Sequence, residues 1–129
     1  TTVNVLSGKG AGDYAGYVDI LSAYNSSNET IAANDETNQY ACTIAKVEGS
    51  EDQYTILLGS TYLGLTKDGN NLHFDSSIKD GFQWKFDGTK IIPVKYAARN
   101  LQWNNNNNQY RFACYKGTQV DVTIYRLTE

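Results

Sequence analysis

Methionine is absent from the sequence, proline and histidine occur once each, and cysteine occurs twice. Each shortage closes a route. Two cysteines and His73 cannot by themselves complete a four-ligand zinc site. His73 is the only histidine available as a general base, and no Gly-x-Ser-x-Gly stretch offers a nucleophile. It stands in the strand-like "NLHF", a setting typical of a surface or structural histidine. No block of basic residues occurs and the net charge is −3, which argues against nucleic acid or an anionic membrane surface as partner. No apolar run approaches the length of a spanning helix, so membrane insertion is not expected. The glycine-rich "SGKGAGDYAG" (7–16) lacks the strand–loop–helix setting and the Gly-Lys-Ser/Thr ending of a phosphate cradle. It reads as a flexible link. No secretory leader is visible; the chain opens on "TTVNV" as a mature or trimmed end would, and the missing leader then carries no information.

Acidic residues do not reopen the catalytic route. Asp35/Glu36 and Glu51/Asp52 both fall in turn-like stretches, where solvated carboxylates are the rule. Nothing in the pattern brings two acids together for glycoside hydrolysis, and neither pair is dense enough in oxygen for calcium. A protein without catalysis, cofactor or metal is expected.

What is present describes a β-rich chain. Hydrophobic residues make up 40% of 129 positions, enough for one domain with an ordinary core. Ten tyrosines, with many threonines and asparagines, favour strands and turns. Cys42 and Cys114 could form a disulfide or a metal pair, or be two buried small side chains. The burial preference of free cysteine favours the last.

Between residues 60 and 97, the apolar runs "YLGL", "LHF", "FQWKF" and "IIPVKY" alternate with the turn-forming "KDGN", "DSSIKDG" and "DGTK". The same order recurs at intervals of about forty residues, the length of one supersecondary unit. First strands begin at Tyr17, Tyr62 and Asn100. "YACTI" (40–44), "FQWKF" (82–86) and "VDVTI" (120–124) take the third place, and "QYTILL" (53–58) and "KIIPV" (90–94) the fourth. The repeats run from about 17–61, 62–99 and 100–129, the last completed by strand 1–6. Pairing of the two termini would leave no bare sheet edge.

Side chains alternate along strands, so the register selects an inward set. Leu63 and Leu65 match Leu101 and Trp103, while Leu72 and Phe74 match Phe112 and Cys114. Phe82, Trp84 and Phe86 match Tyr40, Cys42 and Ile44, and again Val120, Val122 and Ile124. Both tryptophans are therefore expected in the core. The five consecutive asparagines of "LQWNNNNNQYRFACY" (101–115) become the hairpin loop joining the first two strands of the last repeat. Asparagine tolerates positive φ and makes Asx turns, so a turn is the economical reading. A row of amides is also a good hydroxyl-binding surface, with Asn105, Asn107 and Tyr110 as its candidates.

Three four-stranded units resemble the β-trefoil, and "DETNQYACTIAKVEGSEDQYTILLGSTYLGL" is similar to the ricin-type lectin pattern. The family's Gln-x-Trp signature is not intact here: "FQWKF" has Trp84 directly after Gln83. "NLQWN…YRFACYKGTQVDVTIYRL" resembles C-terminal β domains of secreted and surface proteins of gut bacteria, as does the polar, Asn-rich composition. The resemblance implies an all-β trefoil that binds carbohydrate through its first repeat. Asp19 would take the family's sugar-binding aspartate and Asn38–Gln39 its Asn-Gln, with Tyr24 the nearest aromatic platform. Carboxylate and amide groups suit paired hydroxyls. Asp19 could equally serve a hairpin hydrogen bond. In the other repeats the aspartate position holds Gly64 and Gln102. The resemblance thus implies a monomeric, extracellular or cell-surface accessory module, with a glycan or a surface protein as partner. A β-sandwich is the alternative fold, since short strands with turns every 8–12 residues fit it too. A protein-interaction or structural domain is the alternative function.

Overall fold

The computed structural model describes the backbone at residues 2–9, 15–21, 24–25, 30–31, 35, 41–104, 106 and 111–122, and side chains at 35, 41–104, 106 and 111–122. The strands in chain order are β1 (Thr2–Lys9), β2 (Ala15–Leu21), β3 (Tyr24–Asn25), β4 (Thr30–Ile31), β5 (Cys42–Lys46), β6 (Tyr54–Leu58) and β7 (Thr61–Gly64). They continue as β8 (His73–Asp75), β9 (Trp84–Asp87), β10 (Lys90–Pro93), β11 (Asn100–Asn104), β12 (Arg111–Tyr115) and β13 (Val120–Asp121). A short 3-10 helix, Val94–Tyr96, follows β10 and ends the run "IIPVKY" that the sequence pattern suggested as continuous strand.

One sheet has the order β1-β2-β12-β11-β13; the other has β10-β9-β6-β7-β8 with β5 added on β6; β3 and β4 form a separate ribbon. Among the described residues every strand pairing is antiparallel and there is almost no helix, so the protein is all-β. The local chemistry explains the tightest connections. Gly59 and Gly88 each open a two-residue hairpin loop and sit at φ 61° and 58°. Positive φ there matches the strand twist, and glycine adopts it without a Cβ penalty.

The spacing inside the repeat is realised as hydrogen-bonded hairpins. Leu63 lies opposite Phe74 in β7–β8, and Leu101 opposite Cys114 in β11–β12, which are the same two repeat positions. Ile56, Leu63, Leu65, Leu72, Trp84, Ile91, Leu101, Phe112 and Cys114 form one buried cluster drawn from both sheets. Trp84 is fully enclosed and donates its indole N–H to the Leu63 carbonyl at 2.8 Å. That bond removes the cost of burying the one polar atom of the ring. A Cβ on Gly64 would stand 2.5 Å from the Phe82 ring, so β7 approaches Phe82 only because residue 64 lacks a side chain.

Several expectations need correcting. Within the stretch 7–16, expected as a flexible link, residues 7–9 and 15–16 are strand: β1 runs through Lys9 and pairs with β2 from Ala15, with a register shift between Leu6 and Gly8, and residues 10–14 lie outside the described residues. Cys42 is exposed instead of buried. It lies opposite Leu58 on the outermost rung of β5–β6, beyond the point where Ile44, opposite Ile56, packs on the core. Val120 is 51% exposed because β13 is two residues long and forms the rim of its sheet. Trp103 is half-buried, packing on Phe112 with ring centroids 4.9 Å apart, one rung from the end of β11. Residues 2–6 are strand, but they pair with β2; the expected C-terminal partner at 123–129 lies outside the described residues, as do Tyr40 and Ile124.

Candidate functional site

β11 alternates amides with apolar side chains: Asn100, Gln102 and Asn104 against Leu101 and Trp103. All three amides are buried. Burial of an amide is costly unless its bonds are made, and here they are made with the chain that leaves β12. Gln102 Nε2 donates to Asn100 Oδ1 at 3.0 Å, to the Gly117 carbonyl at 2.9 Å and to the Tyr115 carbonyl at 3.2 Å. Its Oε1 accepts from the Gln119 N–H at 2.5 Å. One side chain therefore fixes the path of residues 115–119 and delivers Val120 and Asp121 to pair with β11. Asn100 Nδ2 donates to Asp121 Oδ1 at 3.0 Å, and Thr89 Oγ1 donates to Asp121 Oδ2 at 2.7 Å.

The ladder reaches the surface at the far end of β11. Asn104 Nδ2 donates to the Tyr115 hydroxyl at 2.9 Å, and Asn104 Oδ1 accepts from the Asn106 N–H at 2.8 Å. The exposed Asn106 then donates Nδ2 to Gln119 Oε1 at 2.6 Å. The outer amides carry hydrogen-bonding capacity toward solvent, while the inner ones hold them in place. At the opposite end, buried Arg99 reaches Asp68 Oδ1 at 2.9 Å, Asn70 Oδ1 at 2.7 Å and the Cys114 carbonyl at 3.0 Å. The Arg99 hydrogen bond, supported by Lys116, holds the Asp68 carboxyl below the usual carboxylate range. Burial pushes the Cys114 thiol up to about 12, opposed by the Arg99 charge, so it is inert as a nucleophile in the native state. Burial also pushes up the thiol of Cys42, which keeps solvent access but is crowded by neighbouring atoms. Both cysteines are free.

The residues expected to bind fall as follows. Asp19 is on β2 with Asn4 of β1 as its register partner. Tyr24 belongs to the separate β3–β4 ribbon, opposite Ile31. Asn38, Gln39, Asn105, Asn107 and Tyr110 lie outside the described residues. Gly64 and Gln102, the positions that match Asp19 in the other repeats, both have structural work: one admits the Phe82 ring and the other anchors residues 115–119. Sequence reasoning missed Asn104, Asn106 and Gln119 as an ordered set. Its one available signal was the alternation of amide and apolar residues in "NLQWN". Among the described residues no three His, Cys, Asp or Glu side chains group as a metal site, and no helix is long and apolar enough to cross a membrane. Compared with protein-family models, curated proteins and solved structures, the chain matches none.

Proposed function

We propose that this chain is a non-catalytic carbohydrate-binding module, an accessory domain of a secreted or surface-anchored bacterial protein. The observation that carries the reading is the amide array of β11 and residues 115–119: Asn106 and Gln119 present hydrogen-bonding groups at the surface on a buried, fully bonded foundation. Groups held in place before the ligand arrives lose little freedom on binding, which favours recognition of hydroxyls by directed bonds. Support for a threefold, trefoil arrangement comes from the matched hairpins β7–β8 and β11–β12 and the matched hairpins β5–β6 and β9–β10. The module acts as a monomer at the cell surface or outside the cell.

A shallow site with few hydroxyl bonds gives roughly millimolar affinity, worth about 4 kcal/mol. The test is a glycan array probed with the 129-residue chain, followed by calorimetric titration of the hits. Binding of defined glycans supports the reading; no binding to any glycan at millimolar concentration refutes it. A second reading, as a protein-interaction domain, draws on β5, which exposes all its residues except the half-buried Ile44. It predicts capture of a protein ligand that competes with no sugar.

A further inference from the structure

We infer that the ring of Tyr115 is the platform of the amide site, and that the ligand is a pyranose lying with one C–H face on that ring and its rim hydroxyls on Asn106 and Gln119. The inference deepens the carbohydrate reading and rests on it. Register and one hydrogen bond carry it. Tyr115 lies opposite Asn100, and Asn104 lies opposite Arg111. Opposed residues share a face of a sheet and alternate residues return to it, so Asn100, Gln102, Asn104, Ala113 and Tyr115 all stand on one face. Asn104 and Tyr115 are four residues apart in level, about 13 Å along the strands, yet Asn104 Nδ2 donates to the Tyr115 hydroxyl at 2.9 Å. A tyrosine and an asparagine meet across that span only when the ring is laid along the strands, over the rung that pairs Gln102 with Ala113. The small Ala113 leaves room for the ring, and Gln102 turns the other way, toward Asn100 and the Gly117 carbonyl. Both are buried, as residues under such a cover must be. Tyr115 itself is only half-buried. With Ala113 against its inner face, its exposure belongs to the outer side of the ring.

The hydroxyl end of the ring adjoins the outer amides. The Asn104 side chain that holds the tyrosine also accepts from the Asn106 N–H, and Asn106 in turn holds Gln119. The last bond uses Asn106 Nδ2 and Gln119 Oε1. It leaves Asn106 Oδ1, an acceptor, and Gln119 Nε2, a donor, without a partner among the described residues. A pyranose carries hydroxyls around its rim and C–H bonds on its faces. The ring of Tyr115 takes a C–H face out of water, while the acceptor and donor beside it meet a rim hydroxyl, which itself donates and accepts. Because Asn104 already fixes the ring, little order is lost on binding. The ligand class is a pyranoside with equatorial hydroxyls, such as a β-glucoside, whose faces are uninterrupted by polar groups.

The experiment titrates the 129-residue chain by NMR with methyl β-glucopyranoside and with glucitol, an acyclic polyol that offers hydroxyls without a ring face. The glycoside should bind roughly fivefold or more tighter than glucitol, and its C–H protons should shift upfield and show nuclear Overhauser contacts to the Tyr115 ring of the unaltered chain. Tyr115→Leu should weaken the glycoside by roughly fivefold or more, while Tyr115→Phe, which keeps the ring face, stays within about threefold, with the melting temperature as a control on folding. No contact to Tyr115, equal affinity for glycoside and glucitol, or equal affinities of the Leu and Phe variants overturns the platform and leaves the carbohydrate reading standing. Failure of the glycoside to bind, when an array identifies other glycans, also overturns it; absence of binding on the array as well removes both.

Discussion

Replacing Gln102 by leucine tests the foundation of the site. The two side chains are similar in bulk, so packing changes little, but every bond that Gln102 makes is lost. The Gln119 N–H and the Tyr115 and Gly117 carbonyls lose a partner that lies only 2% exposed. A buried polar group left unpaired costs about 1–3 kcal/mol. Gly117 is exposed and its carbonyl can recover a water, so the sum falls near 2–4 kcal/mol by this reasoning. A chain of this size has roughly 6–19 kcal/mol in total, at about 0.05–0.15 per residue. The melting temperature should therefore fall by roughly 10 °C. The local signature is sharper: hydrogen exchange at Gln119 and Asp121 should accelerate more than at β6 or β7, because residues 115–121 detach from β11 before the domain unfolds. Calorimetry with exchange mass spectrometry reads both. A loss below about 1 kcal/mol, or unchanged protection at 117–121, would refute the claim that Gln102 pins this segment.

Trp84→Ala should cost about 3–5 kcal/mol, and Trp103→Ala about half as much, since Trp84 is fully enclosed and Trp103 only half-buried; equal losses in urea titration would contradict the burial difference. Gly64→Ala should cost about 1–3 kcal/mol by forcing the Phe82 ring aside, and adding Phe82→Leu should recover part of it. A thiol reagent should label Cys42 in the native state and Cys114 only in denaturant; two native thiols would place Cys114 wrongly. The raised pKa of Cys114 means that its stabilising preference for the neutral thiol is present below about pH 9 and lost as the pH rises toward about 12, a slope that Cys114→Ala should flatten in alkaline melts. Asp75, held at about 2 chiefly by its bond from Lys79, stabilises above its ordinary value of 3.8; that contribution fades as the pH falls toward 2, and Asp75→Asn should flatten the acid limb.

The all-β character was written in the sequence, because apolar alternation and glycine-marked turns are local properties that need no partner to be read. The hairpins β7–β8, β9–β10 and β11–β12 were legible for the same reason, whereas the β1–β2 pairing was not. Matching Leu63 with Leu101 and Phe74 with Cys114 from the repeat alone anticipates the pairs Leu63–Phe74 and Leu101–Cys114, since short connections force neighbouring strands together. What lies at the end of a strand was not legible. Cys42 and Val120 carry the inward parity of the repeat and are nevertheless exposed, because parity selects a face but not whether another layer covers that rung. The site divides in the same way. Asparagine and glutamine are visible as hydroxyl-binding types, but nothing local separates Gln102, consumed in holding residues 115–119, from Asn106, which faces solvent. Nor does the sequence place β2 beside β12. Nearly a hundred residues separate Ala15 from Phe112 along the chain, and only nonlocal pairing sets them opposite each other in one sheet, because hydrogen-bonded strands share a level whatever the length of chain between them.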